Sequence, residues 1–130
     1  MRILHHRGVL HAVAYSPDGR HAVSGGRDGL AIEWSLGDWS ARQTFKHGAW
    51  VKDARYVMNG QYIATAGTDS KVILWSRETG KTAKTLSGHG GSVDALASSP
   101  DGRLLLSAGA DTTILVWELA GVLPAPNGKR

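Results

Sequence analysis

Serine, histidine and aspartate together make a nucleophilic triad, and two stretches of this sequence supply all three. GHGGSVDAL contributes His89, and SAGADTTILVW contributes Ser107 and Asp111. In such a triad the histidine takes the serine proton, the aspartate orients the histidine, and fixed donors stabilise the oxyanion. That chemistry needs an exposed nucleophile on a strained turn. The sequence has no GxSxG elbow and no helix start to aim donors at an oxyanion.

The same residue types then recur. GVLHAVAYSPDGRHAVSGGRDGLAIEW, AWVKDARYVMNGQYIATAGTDSKVILW and GSVDALASSPDGRLLLSAGADTTILVW align without a gap. They place His6, His47 and His89 about 41 residues apart, and Ser24, Thr65 and Ser107 keep the same interval. So do Asp28, Asp69 and Asp111, and Trp34, Trp75 and Trp117. An active site has no reason to appear three times with a tryptophan attached. A hydrogen-bonded scaffold does, because every buried polar group must find a partner.

The elements that carry these residues read as strands and tight turns. Leu10-x-x-Val13-x-Tyr15, Val51-x-x-Ala54-x-Tyr56 and Val93-x-x-Leu96-x-Ser98 predict three short strands, closed by PDG, NG and PDG turns. A second strand follows in each copy: HAVSG, YIATAG, LLLSAG. A turn holding the aspartate leads to a third: LAIEW, KVILW, TILVW. These runs are apolar with little alternation, which predicts burial on both faces. RQTF and KTAKTL supply a fourth strand between copies.

With 130 residues the chain has one domain's worth of core, and 42% hydrophobic content with 17 glycines describes a turn-rich globular protein. The absence of cysteine excludes disulfides and thiolate chemistry and fits a reducing compartment. MRILHHRGVL lacks the apolar centre of a signal peptide, and no apolar run is long enough to span a bilayer. The expectation is a cytoplasmic chain without membrane contact. The net charge of +4 is dispersed from Arg2 to Arg130, so nucleic-acid binding is disfavoured.

Three copies, each with a His, a Ser/Thr strand end, a turn Asp and a strand-end Trp, resemble the WD40 repeats of β-propellers. The resemblance covers residues 5–118. It departs from the family pattern where His5 and Lys46 replace the glycine kept at Gly88, and where Ser35, Ser76 and Glu118 follow each tryptophan. It implies an all-β fold of four-stranded antiparallel blades. It also implies structural tetrads in which the indole donates to the hydroxyl, the hydroxyl reaches the histidine, and the histidine bonds the aspartate. Residues 1–4 would be a spare fourth strand, residues 5–46 and 47–87 two repeats, residues 88–119 a third lacking its fourth strand, and residues 120–130 a flexible tail. Pro124 and Pro126 make that tail a poor strand.

Three blades form an incomplete ring. Blade one is expected to expose one face and blade three the opposite face. A head-to-tail homo-oligomer exchanging Met1–Leu4 would give six blades as a dimer or nine as a trimer, and blades elsewhere in a longer chain would serve equally. Partners of WD40 proteins usually dock on the loops beside the His and Asp. The resemblance maps three positions of each repeat there: Val9, His11 and Arg27; Trp50, Lys52 and Thr68; Ser92, Asp94 and Ala110. It implies a non-catalytic scaffold or adaptor that binds protein or peptide without a cofactor. The alternative is a regulatory or sensor module of a larger signalling enzyme.

Other features carry weaker signals. His5, His6 and His11 lack a carboxylate or thiol companion for zinc. Gly25-Gly26 and Gly90-Gly91 lack the Lys-Ser/Thr of a phosphate loop. Arg27 could read a phosphorylated peptide, and Trp39 in SLGDWSAR is expected at a blade edge.

Overall fold

The structure, a computed structural model, describes residues 1–123. Eleven strands form three antiparallel sheets, each a meander in chain order. The first holds β1 (Leu10–Tyr15), β2 (His21–Gly26), β3 (Leu30–Ser35) and β4 (Ser40–Lys46). The second holds β5 (Val51–Val57), β6 (Tyr62–Gly67), β7 (Val72–Ser76) and β8 (Thr82–Leu86). Among the described residues the third holds three strands: β9 (Val93–Ser98), β10 (Leu104–Gly109) and β11 (Ile114–Glu118). All eleven strands expected from the repeats are present.

The first turn of each sheet is built by local chemistry. In sheet one the Ser16 hydroxyl donates to Asp18 at 2.6 Å while Asp18 accepts the Arg20 N–H at 2.9 Å. Ser99, Asp101 and Arg103 repeat that arrangement in sheet three. The serine hydroxyl, followed by the backbone donor, holds both carboxyls below the usual carboxylate range. Sheet two lacks the Pro-Asp pair. There Met58, Asn59 and Gly60 make a 3-10 turn with φ of 51°, 56° and 85°, a left-handed run that Asn and Gly tolerate best.

Two apolar cores lie between successive sheets. Val23, Ala31 and Phe45 of sheet one meet Val51, Ala54, Ile63, Ile73 and Trp75 of sheet two. Ala64, Val72, Leu74 and Leu86, from the other face of sheet two, meet Val93, Leu96 and Leu105 of sheet three. Alternation along β6 sends Ile63 to one core and Ala64 to the other.

Burial on both faces, expected of the second and third strands of each copy, holds most fully in blade two, where β6 is buried from Ile63 through Gly67 and β7 from Val72 through Trp75. β3 and β11 alternate instead. The reason is the neighbour, not the residue type. Ile114 and Val116 are 67% and 59% exposed, although Val72 and Leu74 at the same repeat positions are fully buried. Val13 and Tyr15 are likewise 76% and 75% exposed where Ala54 and Tyr56 are covered. The open faces thus fall on sheet one and sheet three, on opposite sides.

The chain termini differ from expectation in part. Residues 1–4 form no strand within this single chain. The segment expected to be loose from residue 120 is packed at its start: Leu119–Gly121 is a 3-10 turn, and Leu119 and Leu123 are buried in the second core. Their apolar side chains join those of sheets two and three in that core. Pro124 and Pro126 lie outside the described residues. No helix among the described residues is long and apolar enough to cross a membrane.

Candidate functional site

In every repeat the hydroxyl lies 18 residues after the histidine on the second strand, and the tryptophan lies 10 residues further on the third strand. Antiparallel pairing brings the two side by side. Trp34, Trp75 and Trp117 each donate their indole N–H to Ser24, Thr65 or Ser107 at 2.9 Å. The hydroxyl oxygens lie 2.6 Å from His6, 2.7 Å from His47 and 2.7 Å from His89. The second ring nitrogen faces Asp28 and Asp69 at 2.9 Å and Asp111 at 3.0 Å. His6 and His89 present Nδ1 to the carboxylate, whereas His47 presents Nε2.

The aspartates are also turn formers. Asp28 accepts the Leu30 N–H at 3.1 Å, and Asp111 accepts the Gly90 N–H at 2.8 Å. Burial pushes the Asp28 carboxyl up, but the Leu30 N–H and His6 together outweigh it and leave it below the usual range. For Asp111 the Gly90 N–H is the main cause of a strong lowering, with Thr113 adding to it.

A triad's nucleophile must be reached by substrate. Here Thr65 and Ser107 are buried and their oxygens already accept from an indole. The arrangement satisfies each group in turn: indole donates only, hydroxyl donates and accepts, imidazole does one at each nitrogen, carboxylate accepts only. It ties the loop before the first strand to the second and third strands. No group of three His, Cys, Asp or Glu side chains among the described residues could hold a metal ion.

The nine face positions all reach the surface, none of them buried. Two backbone devices put them there. The residue before each aspartate donates its N–H to the residue three after the histidine: Arg27 to Val9 at 2.8 Å, Thr68 to Trp50 at 3.1 Å and Ala110 to Ser92 at 2.9 Å. Each first strand also shifts register, skipping His11 between Leu10 and Ala12, Lys52 between Val51 and Asp53, and Asp94 between Val93 and Ala95. A bulge frees one residue from the ladder and re-aims it. Three of the nine converge, with Arg27 over the Trp50 ring and His11 stacked against it. Ser92 instead donates to Asp94 at 2.7 Å, and Trp39 receives Arg2 over its ring at 5.7 Å.

The repeat alignment gave no warning of two charged groups at the sheet boundaries. Glu33 on β3 is fully buried and accepts from Tyr56 at 2.8 Å, from Arg77 and from Arg42. Burial, then Glu33, raises the Tyr56 phenol far above its usual range. Asp53 on β5 crosses the second boundary to accept the Leu96 N–H at 2.8 Å. Glu33 interrupts an apolar strand, LAIEW, and that interruption was its one sequence signal.

Residues 1–35, 39–76 and 80–118 match the repeat described as WD domain, G-beta repeat. The chain belongs to the WD40 repeat family. Two of its WD40 relatives are Protein HIR1 of Phaeosphaeria nodorum, 30% identical over 96% of this chain, and cilia- and flagella-associated protein 52 of Chlamydomonas reinhardtii, 30% identical over 86%. The chain spans 12% and 18% of their lengths, a small part of each. The solved structure of U3-55K shares the propeller-blade fold, with a TM-score of 0.86 at 20% identity over 92% of this chain and 39% of that one. WD40 repeats generally mediate interactions between proteins, and the three sheets are blades.

Proposed function

We propose that this WD40 segment is a non-catalytic scaffold that binds protein or peptide on the face formed by the His and Asp loops. The observation that carries it is the repeated bulge: His11, Lys52 and Asp94 are each released from their ladder beside Val9, Trp50 and Ser92. Each bulge turns the freed residue out of the ladder at the same rim of its blade, so the three side chains are offered on one face. The absence of cysteine supports a cytoplasmic setting.

Peptides selected from a displayed library should test the face. Trp50→Ala is expected to weaken their binding tenfold or more while the melting temperature stays within a few degrees, since Trp50 is 43% exposed. Gln61→Ala, in the turn of the opposite edge, should leave binding unchanged. Equal binding by Trp50→Ala and the parent would remove the face from the account.

The open faces support neighbouring blades as a second partner. Leu10, Val13 and Tyr15 on blade one and Leu106, Ile114 and Val116 on blade three are exposed apolar positions whose equivalents are packed elsewhere. Blade three of one copy could meet blade one of another, with Met1–Leu4 supplying the missing strand, as a six-blade dimer or nine-blade trimer. Blades of a longer chain, in which this segment is a regulatory module, would cover the same faces. Mass measurement in solution separates the two: a discrete dimer or trimer supports the first and a stable monomer opposes it.

A further inference from the structure

The first blade boundary carries an arginine–indole–imidazole cluster that the second boundary lacks. Arg27, between β2 and β3, lays its guanidinium 4.2 Å from the centroid of the Trp50 ring. Its Nε donates to His11 Nε2 over a long 3.4 Å, and the His11 ring stacks on the same indole at 6.2 Å and 30°. The positions that supply His11, Arg27 and Trp50 here supply Lys52, Thr68 and Ser92 at the next boundary. The cluster is therefore a property of this pair of blades, not of the repeat.

Two features make it a receptor for negative charge. Every ion pair among the described residues lies elsewhere, so Arg27 has no carboxylate partner. Trp50 occupies one face of the guanidinium and His11 its Nε, which leaves the two Nη groups as a free fork held in one orientation. Such a fork matches the paired oxygens of a carboxylate or phosphate, and a pre-oriented side chain loses less entropy on binding. Half-exposed Trp50 and exposed Val9, whose carbonyl accepts the Arg27 N–H, form an apolar wall beside it.

We propose that His11, Arg27 and Trp50 form a receptor for a partner peptide that carries an anionic side chain, carboxylate or phosphorylated hydroxyl, next to an apolar residue. The inference rests on the binding face proposed above and names the chemistry it reads. One fork beside an indole reads one anion. A nucleic-acid backbone would need a track of cations, and the remaining face positions offer one lysine, Lys52, against the acidic Asp94.

Three labelled peptides that differ at one position beside a leucine, as Glu, phosphoserine or Gln, test this by fluorescence anisotropy on the full chain. The Glu or phosphoserine peptide should bind at least tenfold tighter than the Gln peptide, and which of the two does so identifies the anion. Arg27→Ala should abolish that preference without changing the melting temperature, and Arg27→Lys, which keeps the charge but not the fork, should restore only part of it. Equal affinities that still depend on Trp50 would overturn the anion receptor and leave the binding face standing. Absence of binding by all three, or tighter binding of a short single-stranded DNA than of either anionic peptide, would also overturn it.

Discussion

Thr65→Val is expected to destabilise the fold by about 2–6 kcal/mol, because it leaves two buried groups without partners at about 1–3 kcal/mol each. The groups are the Trp75 indole N–H and His47 Nδ1, which meet on the Thr65 hydroxyl at 2.9 and 2.7 Å. Valine keeps the shape and removes only the hydroxyl, so no cavity contributes. Blade two is where the loss is greatest. Its tryptophan is buried and packs against Phe45 of blade one at 5.6 Å, so water cannot replace the missing partner. Thr65→Ser, which restores the residue type of Ser24 and Ser107, should recover most of the loss. Chemical denaturation of the two variants measures both, and on a total stability of about 5–15 kcal/mol the first is close to unfolding the chain.

Glu33→Ala comes second, with an expected loss of about 2–4 kcal/mol. Removing one member of a buried ion pair typically costs about 3–5 kcal/mol, and the smaller figure reflects Arg42, which keeps contact with water. Arg77 and the Tyr56 hydroxyl lose their acceptor between two sheets. The neighbouring boundary shows how the same place is filled without charge. Leu74 occupies the Glu33 position in blade two, and Leu119 occupies the Arg77 position in blade three. Combining Glu33→Leu, Tyr56→Phe and Arg77→Leu should therefore restore stability to the parental level or above it. Denaturation midpoints of the single and triple variants decide this, and a triple variant as unstable as Glu33→Ala would contradict it.

The strands were legible because turn chemistry and apolar runs are local, and the repeat supplied each boundary three times. PDG at residues 17–19 and 100–102 marks a turn whatever surrounds it. Burial was not legible in the same way. Ile114 and Val72 look alike in sequence and differ by a whole blade of cover. The tetrads could be read because four residue types kept one interval. Glu33 could not be paired with Tyr56 and Arg77, since its partners stand 23 and 44 residues away, the Tyr56 position is a tyrosine in blade one as well, and the Arg77 position holds Leu36 and Leu119 in the sister repeats. The bulges at His11, Lys52 and Asp94 left no mark at all, because a bulge is a property of pairing and these three residues share neither charge nor shape. The face positions came from the resemblance, and the joining of Arg27 to Trp50 across two blades emerged only from the fold.

Ser, His and Asp serve here as scaffold, which thermal melting of Ser24→Ala, Thr65→Ala and Ser107→Ala checks when ester hydrolysis is followed on the same samples. Each variant should melt below the parent, Thr65→Ala by the most, and hydrolysis should stay at the level of buffer throughout. Unchanged melting of Ser107→Ala together with loss of a hydrolytic activity present in the parent would contradict the account.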